Sequence, residues 1–145
     1  MLKYARLPLC FRVYSLTDLH PANIPLSLYI HMPWCVRKCP YCDFNSHAVP
    51  DGKLSLDLEQ EYLHALVEDF KTQLEFAQGR HIHSVFIGGG TPSLISAQGY
   101  QWLFAQLKAL LPFEVDCEIT LEANPGTVEH DPFADYLAVG INRLS

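Results

Sequence analysis

Leu26-Ser27-Leu28-Tyr29-Ile30-His31 alternates apolar with polar or amphipathic positions at period two, which predicts a first β-strand with one face buried. From Leu63 the period changes. Leu63, Leu66, Val67, Phe70, Leu74 and Ala77 form a stripe at helical spacing, and Gly79 supplies its stop. Ser84-Val85-Phe86-Ile87 then reads as a short buried strand running into Gly88-Gly89-Gly90-Thr91-Pro92. A second helical stripe follows at Tyr100, Leu103, Phe104, Leu107 and Leu110, with Ser96 as candidate N-cap and Pro112 just past its end. Cys117 to Glu122 alternates again and ends at Asn124-Pro125-Gly126. A short helix is expected over Phe133 to Val139, started by Asp131 and Pro132 and closed by Gly140, and Asn142 to Ser145 opens a fourth strand.

Strands that alternate with helices predict right-handed βαβ units and a parallel sheet, an α/β architecture. In such a sheet the loops leaving the C-terminal strand ends share one face, where ligands bind. Here those loops carry Cys35, Cys39 and Cys42, then the triple glycine with Thr91-Pro92, then Glu122 with Asn124-Pro125-Gly126. Residues 1–24 are read as a poorly ordered N-terminal extension, with Cys10 a bystander, and residues 25–145 as the folded part.

The composition changes this picture little. Of 145 residues, 49% are hydrophobic and 18% charged, ordinary for a folded globular protein. The net charge of −6 offers no basic stripe for a phosphate backbone, so nucleic-acid binding is not expected. No stretch approaches the roughly 18 to 20 apolar residues of a membrane span. Met1 to Val13 carries Lys3, Arg6 and Arg12 and no acid, a trace of targeting or interfacial character, but Pro8 breaks the run and no small-residue cleavage site follows.

The cysteines change it most. Cys35, Cys39 and Cys42 form C-x3-C-x2-C on one loop, too crowded to pair independently, and an odd total of five argues for a reducing compartment, read here as the cytoplasm. Two readings of the spacing stand open. Three thiolates can hold a [4Fe–4S] cube, leaving one iron without a protein ligand. Alternatively His31 or His47 completes a Cys3His zinc site, a closed structural staple. A glycine-rich turn and a carboxylate on neighbouring strands are more than a staple requires.

The C-x3-C-x2-C loop after a first strand, with a glycine-rich turn after the second, resembles the radical S-adenosylmethionine (SAM) enzymes. Tyr29-Ile30-His31-Met32-Pro33-Trp34-Cys35, Cys39-Pro40-Tyr41-Cys42-Asp43-Phe44, Gly88-Gly89-Gly90-Thr91-Pro92-Ser93 and Glu122-Ala123-Asn124-Pro125-Gly126-Thr127 together are similar to the heme-chaperone branch of the oxygen-independent coproporphyrinogen dehydrogenase-like family. That resemblance implies the first half of a partial (β/α)6 TIM-like barrel, with the rest of the barrel and a C-terminal domain carrying the heme-binding motif beyond Ser145. It implies that Cys35, Cys39 and Cys42 ligate three irons of a [4Fe–4S] cluster while SAM chelates the fourth. Arg37 and Lys38 would offset part of the cluster's negative charge. Gly89 and Gly90 would contact the methionyl part of SAM through the backbone, glycine being needed so that no Cβ blocks the ligand. Tyr29, Tyr41, Thr91 and Glu122 would line the same pocket; from the residues alone, Tyr29 reads equally as core packing, Thr91 as a helix-entry cap and Glu122 as a solvated strand-end acid.

Family members that decarboxylate coproporphyrinogen carry a further cysteine two residues after the third ligand, where this chain has Phe44. The resemblance therefore implies heme binding and delivery to acceptor proteins, with the membrane surface as a place of delivery. The alternative is a radical SAM oxidoreductase of porphyrin biosynthesis, acting by reductive cleavage of SAM.

Overall fold

The computed structural model describes residues 20–123 and 130–145. The extension up to Leu19, Cys10 within it, and Asn124 to Thr127 lie outside the described residues. Leu26–Met32 forms β1, Ile82–Gly89 β4, Phe113–Leu121 β5 and Arg143–Leu144 β6. These four make one parallel sheet in the order β1-β4-β5-β6. Between β1 and β4 lie two strands absent from the pattern reading, β2 (Trp34–Cys35) and β3 (His47–Ala48), which pair with each other in parallel. The helices are α1 (Leu56–Gln73), α2 (Ala97–Leu110) and α3 (Phe133–Ala138).

The alternation in β1 and β5 does what the period dictates. Ile30 and Met32 of β1, Val85 and Ile87 of β4, and Cys117, Ile119 and Leu121 of β5 join Leu63, Val67 and Phe70 of α1 and Tyr100, Leu103, Phe104 and Leu107 of α2 in one buried core. Fully burying each such side chain contributes roughly 1.5–3 kcal/mol. Cys117 belongs to this core, and burial raises the pKa of its thiol. The opposite sheet face bears lateral rows, because residues in parallel register point the same way. Ser27, Ser84 and Glu118 make one row, and Tyr29, Phe86, Thr120 and Arg143 the next. The Ser27 and Ser84 hydroxyls meet at 2.8 Å, and the Tyr29 and Phe86 rings lie stacked with centroids 6.3 Å apart.

Two expectations are corrected at helix ends. Helix α1 begins seven residues before Leu63, where the Ser55 hydroxyl accepts from the Leu58 amide, and after it a 3-10 turn over Leu74–Ala77 runs into a left-handed pair at Gln78 and Gly79. Asp131 does not start α3. Its Oδ2 accepts from the Ala97 amide at 2.7 Å and so caps α2 instead. Ser96 is the N-cap of α2, accepting from the Gly99 amide at 2.9 Å. Glu59, a buried acid on α1, accepts from both the Ser96 amide (3.1 Å) and the Ser96 hydroxyl (2.6 Å). The positive N-terminal end of α2 is thus satisfied by carboxylates from two other units, which ties three segments of the fold together. Tyr136 of α3 is fully buried and donates towards the carbonyls of Ser93 and Ile95 at 2.9 and 2.8 Å, fixing the turn that follows the glycines.

Candidate functional site

The cysteine loop leaves the C-terminal end of β1 and returns to it through the β2–β3 pairing. At its root the His47 amide donates to the Pro33 carbonyl at 2.6 Å, and the Val49 amide to the Cys35 carbonyl at 2.9 Å. Lys38 reaches across the loop, its ammonium donating to the carbonyls of Ser46 (3.2 Å) and Phe44 (3.4 Å). Its charge therefore serves first to close the loop. His31 holds the return limb: Nε2 lies 2.8 Å from the Asn45 carbonyl and Nδ1 3.1 Å from the Tyr29 hydroxyl. With both ring nitrogens engaged, His31 is not placed to complete a zinc tetrahedron. His47 is exposed and tilted against Trp34.

Cys35, Cys39 and Cys42 are all free thiols, the first buried and the other two partly exposed. Among the described residues, no three His, Cys, Asp or Glu side chains are gathered closely enough to hold a single metal ion. In number and kind, three thiols on one loop match the cysteine ligands of an iron–sulfur cluster. Tyr41, between the second and third cysteines, is 85% exposed, and a hydrogen bond with Cys39 together with the Cys39 and Cys42 charges pushes its phenol up.

The glycine-rich turn is the seat of this loop. The Gly90 amide donates to the Met32 carbonyl and the Thr91 amide to the Trp34 carbonyl, both at 2.6 Å. A Cβ on Gly90 would strike the carbonyl oxygen of Trp34, and one on Gly89, where φ is +114°, would lie 2.6 Å from the His31 ring. By these close approaches the two glycines have a reason within the chain itself, apart from the expected path for a ligand. They clear a path for the chain's own cysteine loop. Thr91 is buried and stands at the start of the Pro92–Leu94 turn, but its side chain makes no cap.

Glu122 follows β5, and its Oε2 accepts from the Gly89 amide at 3.1 Å. A Cβ on Gly88 would meet that same oxygen at 2.8 Å, so Gly88 makes room for the carboxylate. Tyr29 sits in the middle of β1, not at its end, and is 55% exposed beside Phe86, which removes the core-packing reading. Partial burial and, less strongly, the Glu122 charge raise its pKa. The structure thus brings Cys35, Gly89, Gly90, Thr91 and Glu122 to one end of the sheet, with Tyr29 further down β1 reaching the His31 ring through its hydroxyl. The residues that pattern reasoning missed are Asn45, whose carbonyl is bonded to the His31 ring, and Tyr62 of α1, which donates to the His31 carbonyl at 2.6 Å; Lys38, expected to offset cluster charge, is engaged with two loop carbonyls.

Comparison with known proteins places this arrangement. The radical SAM superfamily model matches residues 29–145. The heme chaperone HemW of Escherichia coli is 54% identical over 121 residues, covering 83% of this chain and 31% of that protein. The HemW of Haemophilus influenzae is 53% identical over 129 residues, 86% of this chain and 33% of that protein. Among solved structures, the coproporphyrinogen III oxidase HemN of Escherichia coli, a radical SAM enzyme, superposes with a TM-score of 0.72 at 31% identity, covering 86% of this chain and 28% of that one. The chain spans about a third of the length of the curated relatives it matches.

Proposed function

From its membership of the radical SAM superfamily, to which this chain belongs, we propose that residues 25–145 form the cofactor-binding part of a heme chaperone, which binds heme and delivers it to acceptor proteins. Cys35, Cys39 and Cys42 would hold a [4Fe–4S] cluster with one iron left for SAM. When bound, that pair supplies reductive cleavage of SAM, chemistry that belongs to the cofactor while the protein orients it. Tyr29, Tyr41, Thr91 and Glu122 would line the SAM pocket. The amides of Gly89 and Gly90 are already engaged by Glu122 and Met32, so contacts from these two glycines to a ligand fall to their carbonyl oxygens, acceptors suited to an ammonium group.

The observation that carries this reading is the physical link between the two motifs. The glycine turn and the cysteine loop share two short backbone hydrogen bonds, so a ligand held at one is held beside the other. The chaperone branch is supported by the relatives' names and by Phe44, 59% exposed at the position where coproporphyrinogen-converting members have a fourth cysteine. The likeness to HemN keeps the porphyrin oxidoreductase as the second reading. Heme and its acceptors are the proposed partners, with no nucleic acid. The proposed location is the cytoplasm, with peripheral contact at the membrane surface; no helix among the described residues is long and apolar enough to cross a membrane. The test is the intact protein, reconstituted anaerobically and titrated with heme and with SAM. Binding of both without turnover of coproporphyrinogen III is expected, and failure to bind heme would remove the chaperone assignment.

A further inference from the structure

Cys39, Pro40, Tyr41 and Cys42 form a tight turn, closed by the Cys42 amide donating to the Cys39 carbonyl at 3.1 Å. A β-turn brings its first and fourth Cα atoms within about 7 Å, and a disulfide spans about 4.4–6.8 Å between Cα atoms. The two thiols therefore stand at the ends of a backbone already bent for pairing. Both are free and partly exposed, and Pro40 and Tyr41 between them are exposed, so a small reagent reaches the turn. The phenol of Tyr41 hydrogen-bonds to Cys39, which puts that sulfur on the open side of the loop. Cys35 is set apart. It is buried, and the Val49 amide ties its carbonyl into the pairing of β2 with β3. Lys38 closes the loop through the carbonyls of Ser46 and Phe44, outside the turn, so that grip does not depend on where the two sulfurs point. Three thiols on one loop cannot all pair, but these two can.

We propose that Cys39 and Cys42 form a reversible disulfide in the metal-free chain, which withdraws two of the three cysteine ligands and so blocks cluster insertion under oxidising conditions. The loss of loading rests on the cluster reading of Cys35, Cys39 and Cys42; the pairing itself does not. The oxidant is a small disulfide of the glutathione class. One cysteine thiolate attacks a sulfur of oxidised glutathione, whose S–S bond breaks and releases one glutathione. The other cysteine then attacks the mixed disulfide, forming the bond between Cys39 and Cys42 and releasing the second. The chain gives up two electrons and two protons, which leave as two glutathione thiols. Exposed disulfides are the labile ones, so a reducing thiol returns the pair to its ligand form.

The experiment takes the intact protein, metal-free and reduced, through anaerobic glutathione mixtures of rising oxidised share, followed by alkylation in denaturant and trypsin digestion. Cleavage after Arg12, Arg37, Lys38 and Lys53 leaves Cys35 on residues 13–37 and both Cys39 and Cys42 on residues 39–53. The expected product is the 39–53 peptide lighter by two hydrogens, with Cys35 and Cys117 alkylated. Cys35→Ser should keep the pairing, and Cys42→Ser should leave Cys39 carrying one glutathione. The oxidised protein should lose its uptake of iron and sulfide and regain it after dithiothreitol. Cys39 and Cys42 alkylated or glutathionylated separately in every mixture, a disulfide to Cys35, Cys10 or Cys117, or an oxidised pair that loads as well as the reduced one would each overturn the proposal. A protein that forms the disulfide yet takes up no iron and sulfide when reduced would uphold the pairing and overturn the cluster reading.

Discussion

The amide of Gly90 donates to the carbonyl of Met32 at 2.6 Å, and a Cβ on Gly90 would stand 2.8 Å from that same oxygen. Two motifs that are 48 residues apart at Cys42 and Gly90 are therefore one structural unit. The glycine turn is a mould for the cysteine loop.

Gly90→Ala is expected to displace the cysteine loop. Overpacking of this kind costs about 1–3 kcal/mol, and here it falls on the loop's backbone. Iron and sulfide incorporation should drop along with stability in urea. A variant that loads normally but binds SAM weakly would return Gly90 to a purely ligand-facing role.

Reconstituted protein should hold about four irons and four sulfides per chain. Changing Cys35, Cys39 or Cys42 to Ala should abolish or sharply reduce loading, while Cys117→Ala, in the core on β5, should leave it intact. Elemental and sulfide analysis decides this. Stoichiometric zinc without sulfide would contradict it.

Glu122→Gln keeps the shape that accepts from the Gly89 amide but loses the charge, and hydrogen bonds to charged groups contribute about 1.5–3 kcal/mol. Iron content should be unchanged. SAM titration of the reduced cluster's electron paramagnetic resonance spectrum should show roughly tenfold or more weaker binding, consistent with loss of about 1.4 kcal/mol or more. Equal SAM affinity would leave Glu122 as a support for the glycine turn alone.

Tyr100 is fully buried, its hydroxyl donating to the Pro92 carbonyl at 2.8 Å, and burial holds its pKa well above the ordinary 10.0. The native state therefore keeps a proton that the unfolded state releases, so stability is present below pH 10 and falls as the pH rises beyond it. Urea midpoints measured from pH 8 to 11 should decline at the alkaline end. The decline should be shallower in Tyr100→Phe, and an identical slope would show that Tyr100 does not govern it.

The full-length protein, supplied with SAM and a reductant, should bind heme and leave coproporphyrinogen III unconverted. Product analysis under strict anaerobiosis checks this. Turnover would make Phe44 a tolerated variation and favour the oxidoreductase reading.

The sequence by itself determined the parallel α/β architecture, the core faces of β1, β4 and β5, and the convergence of the cysteine, glycine and Glu122 loops at one sheet edge. These follow from local causes: the period of apolar residues, the punctuation by glycine and proline, and the one-way geometry of βαβ connections. The tertiary structure decided the rest. Glu59 lies on α1 before the apolar stripe read from the sequence, yet it is buried against Ser96. Asp131 reads as the start of its own helix and caps another. The pairing of β2 with β3 and the contact between Gly90 and Met32 join backbone groups, the grip of Lys38 ends on two backbone carbonyls, and nearly every residue carries the same backbone donor and acceptor. A side-chain pattern records which face is apolar. Which carbonyl meets which amide is set only when distant segments pack.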